Sequence, residues 1–107
     1  MGGKMSRNKG AAGEREIAKL LQKYGFPGKR TAQHMGKCGG MADVVGMDGY
    51  HLEVKRCETL SIYAAMEQAI RDKAADEKPV VLHRRNGRPW LVVMLAEDWL
   101  EGEQNAL

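Results

Sequence analysis

Two strand-like runs, Tyr50 to Arg56 and Pro79 to Arg84, flank a stretch that reads as one amphipathic helix, and this order limits the fold more than any other feature of the chain. The helix covers about 59–77: Leu60, Tyr63, Met66, Ile70 and Ala74 recur on one stripe, charge occupies the opposite side, and Pro79 stops it. A helix between two strands can make the crossover that parallel pairing requires, so the fold class is α/β rather than an all-antiparallel sheet. With 107 residues there is length for one domain and no separate module.

Hairpin signals extend the sheet on either side. Ala42 to Met47 and Tyr50 to Arg56 are separated by Asp48-Gly49, and Pro79 to Arg84 joins Pro89 to Leu95 through Asn86-Gly87, dipeptides that favour two-residue turns between antiparallel strands. Upstream, Ile17, Leu20, Leu21 and Tyr24 mark a helix over about 11–24, closed by Gly25 and Pro27. Lys29 to Ala32 reads as a short strand, Met35 to Gly40 as a flexible Gly-rich loop, and Glu97 to Leu100 as one or two helical turns. The predicted order is α-β-β-β-α-β-β-α, a mixed sheet of about five strands flanked by helices. Residues 1–10 are expected to be a flexible basic arm and residues 11–103 the single domain.

Charge is unevenly distributed. Residues 1–40 carry nine Lys and Arg against two Glu, whereas residues 41–107 carry eight basic against twelve acidic residues. Lys4, Arg7, Lys9, Lys29, Arg30 and Lys37 form the kind of basic cluster that neutralises nucleic-acid phosphates, the plain alternative being a solvated basic end. No apolar run approaches the ~18 residues needed to cross a bilayer and the start lacks a secretory pattern, so a cytoplasmic protein without a membrane partner is expected. Cys38 and Cys57 form no CxxC pair and are expected to be free thiols.

The chemistry concentrates on the third strand. Alternation puts His51, Glu53 and Lys55 on one side and Leu52 and Val54 on the other, and Asp43 lies across the Asp48-Gly49 turn on the neighbouring strand. Two neighbouring carboxylates suit a hard cation such as Mg²⁺ or Mn²⁺, and an adjacent ammonium can orient water or stabilise charge building on a phosphorane-like transition state. The reaction class this suggests is metal-assisted phosphodiester hydrolysis; the ordinary alternative is an exposed Glu-x-Lys pair on a half-buried strand. A zinc quartet of His34, Cys38, His51 and Cys57 fails on distance, because six strand residues separate His51 from Cys57 by roughly 20 Å. His83 is expected at the surface beside Arg84 and Arg85, Trp90 and Trp99 as apolar anchors, and Arg84, Arg85 and Arg88 as a basic hairpin tip.

Three segments taken together carry a resemblance. Lys9-Gly10-Ala11-Ala12-Gly13-Glu14-Arg15-Glu16, then Gly39-Gly40-Met41-Ala42-Asp43-Val44-Val45, then Leu52-Glu53-Val54-Lys55, resemble the archaeal-type Holliday junction resolvases of the PD-(D/E)xK nuclease superfamily over about residues 9–95. The resemblance implies a restriction-endonuclease-like fold and a Mg²⁺- (or Mn²⁺-) dependent DNA endonuclease. It assigns the metal to Asp43, Glu53 and the Val54 carbonyl, the water to Lys55, a helix carboxylate to Glu14, and a supporting role to Gln68. It also implies a homodimer on branched DNA, because two strands cut symmetrically need two sites related by a two-fold axis. Glu16 lies about 200° around the helix from Glu14, so one of the two faces the site, and the Lys-Gly-x-x-x-Glu spacing selects Glu14. Two departures stand out: Ala42 replaces the usual proline, and Gln33-His34-Met35-Gly36 occupies the loop where these enzymes often carry a serine, leaving His34 as its possible substitute and as a DNA contact. The alternatives are a flap-, nick- or end-acting nuclease of a phage or mobile element, and a DNA-binding module that keeps the nuclease fold without the reaction.

Overall fold

The computed structural model describes the backbone of residues 2–31 and 42–107, with side chains from Gly10 onward. The elements are α1 (Gly2–Lys23), β1 (Lys29–Arg30), β2 (Val44–Val45), β3 (Tyr50–Arg56), α2 (Ile62–Asp72), β4 (Lys78–Arg84), β5 (Leu91–Met94) and α3 (Ala96–Asn105). They build one five-stranded sheet in the order β1-β2-β3-β4-β5, parallel only between β3 and β4. The other three pairings are antiparallel. The expected α/β mixed sheet and its order of elements are therefore found, with α2 as the crossover. Both predicted hairpin glycines take the left-handed conformation their turns need, Gly49 at φ 86° and Gly87 at φ 71°. Among the described residues no helix is long and apolar enough to cross a membrane.

The sheet is buried on both faces. Val44, Leu52, Val54, Val80 and Leu82 pack against Ile17 and Ala18 of α1, while Val81 packs on the other face against Ala65, Met66 and Ala69 of α2. Each such branched side chain fully removed from water contributes ~1.5–3 kcal/mol before entropy is counted. This division fixes where the polar residues of β3 go. Because Leu52 and Val54 face α1, His51, Glu53 and Lys55 must face α2.

Four expectations need correction. The stripe of α2 is rotated: Ala65, Met66 and Ala69 are buried, whereas Tyr63 is 85% exposed and Ile70 is exposed. Two alanines let the helix lie close to the sheet, and the larger side chains are turned outward. The helix also stops at Asp72, and residues 74–77 form a turn in which Glu77 Oε1 accepts the Ala74 N–H at 2.8 Å. At the N-terminus α1 starts at Gly2, so the stretch expected to be an arm has helical backbone. Once Ile17 and Ala18 anchor the helix, each further residue adds a hydrogen bond at little cost, and no proline interrupts residues 2–10. The last helix, finally, extends to Asn105.

β2 is short for a steric reason. Gly46, at φ 130°, sits where a Cβ would lie 2.6 Å from the Pro27 carbonyl oxygen and 2.7 Å from Gly28 Cα, so the backbone passes too close to the α1–β1 connection for any side chain. Gly49 has open space around it and only its φ to satisfy. Gly46→Ala should therefore lose about 2 kcal/mol or more in urea denaturation, and Gly49→Ala about 1 kcal/mol. Equal losses would mean that the close approach does not constrain the fold.

Candidate active site

The site begins where the β2–β3 ladder becomes irregular. Val44 stands opposite Leu52, but the Asp43 N–H donates to the Leu52 carbonyl at 3.1 Å, and the Val54 N–H donates to Asp43 Oδ2 at 2.8 Å. On the other edge the Thr31 N–H takes the Asp43 carbonyl, and the Thr31 hydroxyl donates to the Ala42 carbonyl. Asp43 is thus tied to both neighbouring strands. Only 4% exposed, it has its carboxylate set against the backbone between Glu53 and Lys55.

Glu53 is fully buried at 0% exposure. His51, at 1%, is hydrogen-bonded through Nε2 to Glu53 Oε1 at 2.7 Å, while Glu53 Oε2 has no hydrogen-bond partner among the described residues. An unpartnered buried carboxylate oxygen costs ~1–3 kcal/mol or more, so it marks a place where a ligand can be accepted. Asp43 and Glu53 are two buried carboxylates, one with a spare oxygen, and donors of this hard type could hold a divalent cation. His51, Glu53 and Asp72 also bring ligand-type atoms within 4.8 Å of one another.

Lys55 continues the same face, its Nζ donating to Gln68 Oε1 on α2 at 2.8 Å. The two glutamates of α1 go separate ways. Glu14 is held by Arg30, with Nε 3.0 Å from Oε1, at the β1 edge. Glu16 instead accepts from Arg84 and from Trp90 Nε1 at 3.1 Å, with Arg56 Nε 3.2 Å from its other oxygen. Glu16 is consumed by a network of two arginines and a tryptophan, and Glu14 takes no part in it.

Of the other residues singled out, Lys29 is exposed on β1 and Arg30 spends its Nε on Glu14. His34 and Lys37 lie outside the described residues, as do the side chains of Lys4, Arg7 and Lys9. His83 is half-buried and bonded through Nε2 to the Cys57 carbonyl at 2.9 Å, so its ring braces the end of β3. Trp90 packs against the α1-side core, whereas Trp99 is exposed. The residues that sequence reasoning missed are Asp72 and Glu77, which surround His51. Its alternation with Glu53 signals a shared face, but the approach of Asp72 depends on the rotation of α2.

A five-stranded mixed sheet with a helix on each face, Glu53 and Lys55 on its central strand β3 and Asp43 just before β2, defines the class as α/β nuclease-like. The chain belongs to the archaeal Holliday junction resolvase family, whose model matches residues 5–105; the family is one of structure-specific endonucleases, and the chain is a nuclease of that kind. Among solved structures it is similar to the Archaeoglobus fulgidus Hjc, a Holliday junction resolvase from an archaeal hyperthermophile. That likeness has a TM-score of 0.60 at 21% identity and covers 79% of this chain and 76% of the other, which is agreement in fold. No curated protein matches the chain.

The division between Glu14 and Glu16 can be tested directly. Glu16→Gln weakens two arginine contacts at once and should cost about 1–2 kcal/mol in chemical denaturation. Glu14→Gln, with one partner, should cost under about 1 kcal/mol. A larger loss for Glu14→Gln would reverse their roles.

Proposed function

We propose that this nuclease cleaves branched DNA with Mg²⁺ or Mn²⁺ held by Asp43, Glu53 and the Val54 carbonyl. The observation that carries the reading is the fully buried Glu53 with one oxygen unpartnered, next to the Asp43–Val54 hydrogen bond. When bound, the cation supplies Lewis-acid stabilisation of the phosphoryl oxygens and acidifies a water. The chain's own residues do the rest. Lys55, held by Gln68, directs its ammonium at the attacking water and at the charge that builds on the phosphate. Glu14 adds a further carboxylate, directly or through water, from α1.

Substrate contact falls to the basic residues Lys4, Arg7, Lys9, Lys29 and Arg30, with His34 and Lys37 in the sequence before Asp43. Their phosphate contacts would hold the backbone without reading sequence, as a structure-specific enzyme needs. A homodimer completes the reading, since a four-way junction offers two strands related by a two-fold axis. The exposed apolar side chains Tyr63, Ile62 and Ile70 on α2, and Leu91 and Val92 on β5, supply surface for such an interface. Action on DNA makes the cytoplasm its place of work.

The test compares cleavage of a labelled four-way junction and a linear duplex of the same sequence, with Mg²⁺, Mn²⁺ or EDTA. Symmetric junction cutting that requires metal is expected, with ~100-fold or greater loss in Glu53→Gln and Lys55→Ala. Equal cutting of both substrates would favour an end- or flap-acting nuclease. Junction binding without cutting under any metal would overturn the catalytic reading in favour of a non-catalytic module.

A further inference from the structure

His51 is a buried imidazole enclosed by acids. Its Nε2 lies 2.7 Å from Glu53 Oε1, its Nδ1 lies 3.7 Å from Glu77 Oε1, and a ligand-type atom of Asp72 is within 4.8 Å. Nothing in the proposed chemistry uses it. With Glu53 as the metal-ligating carboxylate of the proposed site, the hydrogen bond between His51 and Glu53 is donated by His51 Nε2. That assignment leaves Nε2 no lone pair for a metal, and the remaining lone pair, on Nδ1, faces Glu77. The separation agrees: two donors on one first-row ion, each at ~2.0–2.2 Å from it, stand about 3 Å or more apart, whereas 2.7 Å is a charge-assisted hydrogen bond.

A glutamate has three side-chain torsions, and Glu53 has no neighbour among the described residues that holds its second oxygen. Packing confines the buried side chain, and the one hydrogen bond it makes decides which oxygen faces which way. His51 can supply that constraint because it is itself confined: the ring is 1% exposed, between Glu77 of the α2–β4 turn and Asp72 at the end of α2. Glu77 is fixed in turn by accepting the Ala74 N–H.

We propose that His51 is a positioning residue for the metal-binding carboxylate: it locks Glu53 Oε1 so that Oε2 is the oxygen presented to the cation. The inference rests on the metal reading of the site and adds to it a residue that acts through Glu53. Partners of this outer kind typically change metal affinity by ~10–100-fold when removed.

The experiment is calorimetric titration of the full chain with Mn²⁺, together with thermal unfolding, for wild type, His51→Leu and His51→Gln. Leucine fills the buried volume but lacks the donor, whereas glutamine keeps an N–H that can reach Glu53. The Mn²⁺ dissociation constant should rise about 10–100-fold in His51→Leu and recover most of that loss in His51→Gln, with stoichiometry unchanged. Cleavage at saturating Mn²⁺ should recover towards wild type in both. Should His51→Leu fail to fold, His51→Gln against His51→Asn makes the same comparison, because the shorter amide cannot span the distance to Glu53. Unchanged affinity in the donor-less variant would overturn the proposal, and so would equal losses in the paired variants, which would reduce His51 to packing. Loss of one of two bound Mn²⁺ would make His51 a ligand instead. A wild type that binds no Mn²⁺ would fail at the earlier step and remove the metal site itself.

Discussion

The hydrogen bond from the Val54 N–H to Asp43 Oδ2 joins the fold to the chemistry. In a regular ladder a strand amide finds a carbonyl on its neighbour; here a side-chain carboxylate takes that place, and the departure from regular pairing aims Asp43 at the centre of β3. The bond costs the sheet little, because the amide remains satisfied. It also makes Asp43 part of the backbone's own framework, so this carboxylate moves only if β2 and β3 separate. What holds β2 in place is equally local: Gly46 lets the chain pass against Pro27 and Gly28, and Thr31 ties the Asp43 segment to β1.

The acidic groups are arranged so that each has a different form of compensation. Glu16 is surrounded by Arg56, Arg84 and the Trp90 N–H, and Glu14 has Arg30. Glu53 has His51 on one oxygen and, among the described residues, no partner on the other. Buried polar atoms are costly when left without a hydrogen-bond partner; among the described residues Arg56 Nε, Arg84 Nε, Asp98 Oδ2 and Glu53 Oε2 are so left, and the last belongs to the proposed site. It falls on the strand that also bears Lys55, on the face braced by α2 through Gln68. Residues 1–40 carry an excess of positive charge, which is what draws a polyanion towards an acidic site that would otherwise repel it.

Much of this was legible in the sequence, and the rest fails for identifiable reasons. Tyr50–Arg56 reads correctly to the residue because alternation, a hairpin dipeptide and a following helix all agree on it. The crossover through α2 follows from the same order of elements. The rotation of α2 does not: Tyr63 and Ile70 look like core by hydrophobicity, but two alanines permit a closer approach than they would, and burial follows distance to the sheet. Asp43, Glu53 and Lys55 could be assembled from strand alternation and a resemblance in spacing. Neither could supply the enclosure of His51, because Asp72 and Glu77 come from the end of a helix and from a turn whose positions depend on tertiary packing. The helical angle says only that Glu14 and Glu16 part ways, and the Lys-Gly-x-x-x-Glu spacing of the resemblance is what selects Glu14; Glu16 lies in the arginine network.

The central claim is that the oxygen left open on Glu53 and the carboxylate anchored by Val54 together hold a divalent cation. Anomalous diffraction from a crystal soaked in Mn²⁺ tests it most directly. The account predicts a peak in contact with Asp43, Glu53 Oε2 and the Val54 carbonyl, with the His51–Glu53 hydrogen bond preserved. A peak on His51 and Asp72 with Asp43 uninvolved, or no peak in the presence of ordered Asp43 and Glu53 side chains, would contradict it.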